Sequence, residues 1–87
     1  MHAIVVNVTV TDPEAAQQGL RDQVVPRISK APGFVAGYWT RKGDTGLSMT
    51  IWDSEEDANN AGEQIRAMAP EFITIENVEV REVVAQA

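Results

Sequence analysis

Few residues of this chain could do chemistry, and most of them are amide or aromatic side chains. Asn7 is the amide in an otherwise aliphatic and threonine-rich segment. Held in a pocket, an amide could polarise a carbonyl or an enolate oxygen, whereas the structural alternative is a hydrogen bond to backbone or across a dimer. Tyr38 carries a hydroxyl that could act as an acid or a hydrogen-bond donor. The sequence therefore predicts Asn7 and Tyr38 as the catalytic candidates.

Three further side chains are candidates for ligand binding. Trp52 could stack on a planar ligand, and Trp39 could edge a pocket, although both could instead pack in the core or an interface. Arg41 could bind a ligand carboxylate or phenolate, or form an ion pair at the surface or an interface. Tyr38 and Trp39 are neighbours in a strand and must face opposite ways. The pattern leaves open which of them faces a pocket.

Other kinds of site are missing from the sequence. The chain has no cysteine, its only histidine is His2, and no cluster of His, Asp and Glu has metal-ligand spacing. There is no nucleophile–base pair and no glycine-rich phosphate loop. The acidic run Glu55-Glu56-Asp57 is typical of a helix start rather than of paired catalytic carboxylates. We therefore expect no metal and no cofactor.

Charge and length limit the class of protein further. A formal net charge of −6 argues against nucleic-acid and anionic-membrane partners. No apolar run approaches the roughly 20 residues that span a bilayer. A strand pattern begins within a few residues of Met1, which leaves no space for a signal peptide, so a cytoplasmic protein is expected. The 87 residues predict a single domain, 1–87.

The first half of the chain reads as a strand followed by a helix. Hydrophobicity alternates over Ala3–Thr11, and Asp12-Pro13 has the character of a helix N-cap and first turn. Pro26 deletes one backbone donor, which predicts a kink or an early end near Val25. The apolar stripe of this helix repeats every four residues and comprises Ala16, Leu20, Val24 and Ile28.

The second half reads as a hairpin, a helix and a final strand. Ser54, with Asp57 three residues later, resembles a capping box, and Pro70 is expected to end the helix that follows. The predicted elements are a strand over Phe34–Arg41, a turn over Lys42–Gly46, a strand over Leu47–Trp52, a helix with the stripe Ala58, Ala61, Ile65, Met68 and Ala69, and a strand region over Phe72–Val84. The order β-α-β-β-α-β predicts a ferredoxin-like fold.

An internal echo suggests how the sheet is arranged. Val6–Asp12 lines up with Leu47–Asp53, which predicts two parallel central strands whose aliphatic faces lie under the helices. The other face would then carry Val5, Asn7, Thr9, Ser48, Thr50 and Trp52. A solvent-facing sheet would not usually carry Trp52 together with Tyr38 or Trp39. The apolar parity also slips near Glu76-Asn77, which indicates either a bulge or a strand that leaves its own sheet for a neighbour. Both observations predict a homodimer packed sheet against sheet.

The segments PGFVAGYWTR and MTIWDSEEDA are similar to the antibiotic-biosynthesis-monooxygenase domain of the dimeric α/β-barrel superfamily. The resemblance implies an α+β, ferredoxin-like βαββαβ fold with a four-stranded antiparallel sheet, two of which join into a dimeric barrel. That family includes cofactor-free monooxygenases on polyketide-like aromatics, haem-degrading enzymes and members without known activity. The haem-degrading branch uses an Asn on the first strand plus a Trp and a His on or near the second helix. The helix Ser54–Ala69 has neither Trp nor His, so haem degradation is not expected.

Two functions of different class follow. The first is a dimeric, cofactor-independent monooxygenase that binds a small aromatic or enolisable molecule between strand face and helices. The second is a non-catalytic dimerisation or ligand-sensing domain of the same fold. A cavity of several hundred Å³ favours the first, and a barrel packed solid with side chains favours the second.

Overall fold

Strands and helices follow one another in the predicted βαββαβ order. The structure, a computed structural model, describes residues 1–68 and 73–87. The elements are β1 (His2–Val10), α1 (Pro13–Gly19), a π-helical turn called here the π segment (Leu20–Val24), α2 (Val25–Ser29), β2 (Phe34–Lys42), β3 (Thr45–Trp52), α3 (Glu55–Ala67) and β4 (Ile73–Glu82). The predicted stripe residue Ala69, the helix end at Pro70 and the strand start at Phe72 lie outside the described residues.

The four strands form one sheet in the order β2-β3-β1-β4, and every neighbouring pair is antiparallel. The predicted ferredoxin-like fold is therefore confirmed. The prediction that the two central strands run parallel is wrong, because β1 and β3 pair antiparallel. The hairpin between β2 and β3 reverses the chain, so β3 runs opposite to both of its neighbours.

The register shows which residues of β3 lie under the helices. Trp52 pairs with His2, and Thr50 pairs with Ile4, so Trp52 lies on the same face as Ile4. We call this the covered face, and the opposite side of the sheet the open face. The predicted assignment of Ser48, Thr50 and Trp52 to the face of Asn7 is wrong. Leu47, Met49 and Ile51 occupy that open face instead.

Burial of Trp52 explains this choice. The indole is fully buried and makes a T-shaped contact with Phe34, at 5.5 Å between ring centroids. Its Nε1–H donates to the Thr50 hydroxyl at 2.9 Å, which satisfies the one polar atom of the ring. An indole removes more apolar area from water than Leu47 or Met49 would, so Trp52 takes the place in the core.

The first helical region begins as predicted and changes form before Pro26. The Asp12 carboxylate accepts from the Ala15 backbone N–H at 3.2 Å, and Pro13 occupies the first turn. In the π segment the Val25 N–H donates to the Leu20 carbonyl, five residues back. Pro26 then lies in the first turn of α2, where its missing N–H costs no hydrogen bond. The interruption therefore ends directly before Val25, at the position that the sequence predicted.

The later elements follow the sequence more closely. The Ser54 hydroxyl caps α3 by accepting from the Asp57 backbone N–H at 3.1 Å, as predicted. Along β1, the β4 partner changes from Asn77 to Ile75, which leaves Glu76 as the extra residue of a bulge. The predicted bulge near Glu76-Asn77 is thus confirmed. None of the helices in the described ranges is long and apolar enough to cross a bilayer.

Candidate functional site

A cavity of about 380 Å³ separates the covered face from the helices. The sheet contributes its floor through alternate residues of β1 and through neighbouring residues of β2 and β3. α1, the π segment and α2 form the roof, and α3 and β4 close one side. The lining residues are Val6, Val8, Val10, Pro13, Ala16, Gln17, Leu20, Val24, Ile28, Trp39, Thr40, Arg41, Gly46, Leu47, Ser48, Thr50, Ile65, Met68, Ile73 and Ile75.

The lining is amphipathic. The side formed by β1, β4 and α3 presents only aliphatic and thioether side chains. The side formed by β2 and β3 carries Trp39, Arg41, Ser48 and Thr50. The Thr50 hydroxyl is used by Trp52, whereas within the described part of the chain the Ser48 hydroxyl has no protein partner. A ligand with oxygen atoms along one edge would match this division.

Gly37 determines where the Trp39 ring lies. A Cβ atom at Gly37 would come within 2.8 Å of the Trp39 ring and 3.2 Å of the Thr50 methyl carbon. Because glycine has no side chain, the indole can fold over this position and form part of the cavity wall. The sequence left open whether Tyr38 or Trp39 faces a pocket. In the structure Trp39 faces the cavity, and Tyr38 lies on the open face opposite Met49.

Arg41 stands where the cavity meets solvent. Its side chain is exposed, yet it belongs to the lining. Its Nη1–H donates to the Gly43 carbonyl at 2.8 Å. Gly43 has φ +62°, a backbone conformation that glycine adopts without strain, so the tight turn brings that carbonyl back toward Arg41. The hairpin turn therefore holds the guanidinium beside the opening.

The five predicted site residues do not form one site. Trp39 and Arg41 line the cavity. Trp52 is fully buried in the core and is not part of the lining. Asn7 and Tyr38 are exposed on the open face, so the cavity does not reach either of the two catalytic candidates. Their catalytic roles stay predictions.

Several residues of the cavity were missed by the sequence reasoning. The sequence predicts Ser48 and Thr50 on the face of Asn7, whereas both line the cavity on the covered face. No pattern in the sequence marks Gln17 as a cavity residue. Trp52 could have indicated the correct face for Ser48 and Thr50, because a side chain of that size is usually buried. Residues of the same parity, Ser48 and Thr50, then follow it onto the covered face.

Charged groups gather away from the cavity. Arg41 is the only ionisable side chain in the described lining. His2 Nε2 lies 3.5 Å from the Glu55 carboxylate, at the start of α3. On β4, the Asn77 amide and the Arg81 guanidinium donate to the Glu79 carboxylate and lower its pKa. No group of three or more His, Asp or Glu side chains in the described ranges could hold a metal ion.

Comparison with known proteins rests on solved structures, since neither a protein-family model nor a curated protein matches the chain. MupZ from Pseudomonas fluorescens superposes with a TM-score of 0.72 at 16% identity, over 91% of this chain. This chain spans only 65% of the MupZ chain. A dimeric ferredoxin-like protein from an uncultured marine organism gives a TM-score of 0.67 at 13% identity, over 100% of this chain and 98% of that one.

The third structure is a mutant of MhuD with two manganese protoporphyrin IX molecules bound per active site. Its TM-score is 0.69 at 18% identity, over 100% of this chain and 98% of the MhuD chain. MhuD from Mycobacterium tuberculosis is also described as a haem degrader with two haems bound in its active site. The chain has the fold of these proteins. The predicted ferredoxin-like fold is thereby confirmed, whereas the dimeric barrel that the resemblance implies stays a prediction.

The described lining does not fit haem iron. It contains no imidazole, thiolate or phenolate, which are the usual strong axial ligands, and offers only the thioether of Met68. His2 lies beside Glu55 and is not part of the lining. Haem iron would therefore lack a strong axial ligand among the described residues of this cavity.

Proposed function

We propose that this protein binds a planar, enolisable small molecule in the cavity on the covered face, and that it works as a homodimer. The cavity itself carries the proposal. Its volume of about 380 Å³ falls within the range of small-molecule pockets, and its lining combines apolar walls with a few polar groups along one side. The absence of nucleic-acid and membrane partners and the cytoplasmic location, expected from the sequence, stay predictions.

The proposed reaction is cofactor-independent monooxygenation. The acidic ring CH₂ of an enolisable ketone becomes a carbonyl, one oxygen atom of O₂ enters the product, and the other leaves as water. The substrate supplies all four electrons. The described lining offers no carboxylate, imidazole or amine as a base, so the substrate must be acidic enough to ionise in the site. Trp39 and Ser48 would orient it by packing and hydrogen bonding.

Homodimerisation is supported by the open face. Tyr38 is 68% exposed there, and Leu47 and Met49 are each more than 40% exposed. Adjacent exposed side chains of this size are typical of an interaction surface. One of the solved structures with this fold is described as dimeric. The predicted catalytic roles of Asn7 and Tyr38 require a second pocket, which the partner copy would close over this face.

A non-catalytic ligand-sensing domain is the second candidate. The observation in its favour is the scarcity of ionisable groups in the described lining, where Arg41 stands alone. This candidate needs the same cavity and the same dimer, but no turnover.

Binding is tested with N-phenyl-1-naphthylamine, a neutral probe whose fluorescence rises in an apolar site. We expect saturable binding to the wild-type chain. Val8→Phe should weaken it, because Val8 lines the cavity and the larger ring occupies part of the space that the probe needs. Val5→Phe, the same change on the open face of the same strand, is the matched control and should leave binding unchanged. Equal binding by both variants would show that the probe occupies another surface.

Catalysis is tested by oxygen uptake with an anthrone, in the presence of a metal chelator. The monooxygenase predicts one O₂ consumed per carbonyl formed, faster with the wild-type chain than with Val8→Phe. Binding without accelerated uptake would favour the ligand-sensing candidate.

The dimer is tested by sedimentation velocity at micromolar concentration. Met49→Glu should shift the protein from dimer to monomer, because it buries a charge in the proposed interface. Val84→Glu, which makes the same charge change at an 87% exposed position beyond β4, should leave the dimer intact. A wild-type monomer in this range would sink the homodimer proposal.

A further inference from the structure

We propose that the ligand of the cavity carries a single anionic group, which Arg41 binds where the cavity meets solvent. This inference rests on the proposed binding function and narrows its ligand class. The ligand would be a monoanion with an apolar body, oriented with the body under the helices and the charged head at the β2–β3 hairpin.

Arg41 differs from the other basic residues in its position rather than in its lack of an ion pair. The chain has 13 acidic and 7 basic residues, and among the Lys and Arg side chains of the described ranges only Arg81 is in an ion pair, with Glu79. Arg41 is the one that also lines the cavity. The one ionisable group of the described lining therefore presents a positive charge in an acidic protein. An anion is the ligand group that gains most from it.

A hydrogen bond to the backbone holds the Arg41 guanidinium in place. One N–H of Arg41 donates to the Gly43 carbonyl at 2.8 Å, while its side chain remains exposed. This hydrogen bond restricts the rotamers of a long side chain before any ligand arrives, which reduces the entropy lost on binding. The remaining N–H groups form a planar fork that suits a carboxylate or phenolate.

The order of Trp39 and Arg41 along β2 gives the cavity an apolar end and a charged end. Trp39 and Arg41 are two residues apart and share the covered face, so ring and guanidinium lie in sequence from the interior to the opening. Beyond Trp39 the walls are aliphatic, formed by residues such as Val6, Ile28 and Ile65. A charge is not stabilised there, so the ligand can be charged at one end only.

The experiment compares 2-naphthoate with 2-naphthamide, which have nearly the same shape and differ in charge. Isothermal titration calorimetry at low salt should show the wild-type chain binding the naphthoate about tenfold tighter, as expected for a charge-assisted hydrogen bond. Arg41→Gln should remove this preference and leave naphthamide binding unchanged. Unchanged naphthamide binding also shows that the variant is folded.

Arg27→Gln is the matched control. It changes the net charge from −6 to −7, as Arg41→Gln does, but at an exposed position on α2 that is not part of the lining. It should keep the full preference for naphthoate. High salt should reduce that preference in the wild-type chain, because the opening is exposed to solvent.

The outcomes separate this inference from the proposed function. Equal affinities for the two ligands in the wild-type chain would overturn the inference and leave small-molecule binding in place. A preference that survives Arg41→Gln, or that Arg27→Gln also removes, would overturn it as well. Failure of both ligands to bind would overturn the proposed function, and this inference with it.

Discussion

The two faces of the sheet differ in how their apolar side chains are covered. On the covered face Ile4, Val6 and Trp52 are buried, and helices lie over them. On the open face Tyr38 and Met49 face each other across β2 and β3 and remain exposed in the single chain. Both faces therefore carry large apolar side chains, but only those of the covered face are buried within the chain. The covered face stabilises the fold, and the open face is available to a partner.

The open face is itself divided. Its β2–β3 side is apolar, whereas its β4 side is polar through the Glu79 carboxylate and the groups that donate to it. The Thr9 hydroxyl donates to Glu76 at 3.0 Å near the bulge. An apolar centre with a polar border is the usual composition of a protein interface. A partner copy would thus cover the apolar side and leave the polar side at the rim.

Truncating the largest aromatic of the covered face tests this comparison with the largest effect. Trp52→Ala should cost about 3–5 kcal/mol of unfolding free energy, because it leaves a cavity and removes the contact with Phe34. Tyr38→Ala, the control on the open face, should cost under about 0.5 kcal/mol in the single chain. Urea denaturation at a concentration where the protein is monomeric measures both. Equal losses would contradict the assignment of the two faces.

A pair of glycine substitutions should give smaller effects of opposite sign. Gly37→Ala forces the Trp39 ring away from the sheet and into the cavity, at a cost of about 1–2 kcal/mol. Gly62→Ala adds a methyl group on α3 with nothing within 4 Å and should stabilise by about 0.5–1 kcal/mol. Thermal denaturation gives the signs. In the probe assay, Gly37→Ala should also weaken binding of N-phenyl-1-naphthylamine, whereas Gly62→Ala should not.

The polar side of the open face should give the smallest effect, as a pH dependence. The hydrogen bond from Asn77, and then the hydrogen bond and charge of Arg81, lower the pKa of Glu79. Because the folded-state pKa is lower than the unfolded one, this carboxylate stabilises the fold above the unfolded pKa. That contribution is lost as the pH falls through the folded pKa. The Glu79 side chain is partly exposed and solvent screens its interactions, so the change in stability should be small.

An NMR titration of the Glu79 side-chain carboxyl checks this. Its midpoint should lie below the ordinary glutamate value and should rise toward it in Asn77→Ala. Arg66→Gln removes a basic side chain that instead donates to the Val78 carbonyl, and it should leave the midpoint in place. A wild-type midpoint at the ordinary value would show that this network does not persist in solution.

The sequence by itself determined the features that depend on neighbours along the chain. The Asp12 and Ser54 caps are local, because a few adjacent residues supply both the donor and the acceptor. The bulge at Glu76 is local as well, because it shows as a shift in the alternation of apolar residues along one strand. The order of the elements follows from the same local patterns. Alternation along one strand likewise places Trp39 and Arg41 on the same face and Tyr38 on the other, although it does not say which of the two faces lines the cavity.

Only the tertiary structure decided which face of each strand became the covered one. In β3 both the odd-numbered and the even-numbered positions carry apolar residues, so alternation alone is compatible with either set lying under the helices. The choice depends on which side chains fill the space beneath the helices, and the fully buried Trp52 takes that place. The cavity has the same origin: Ser48, Gln17 and Leu20 are far apart in sequence and meet only when β3, α1 and the π segment pack together.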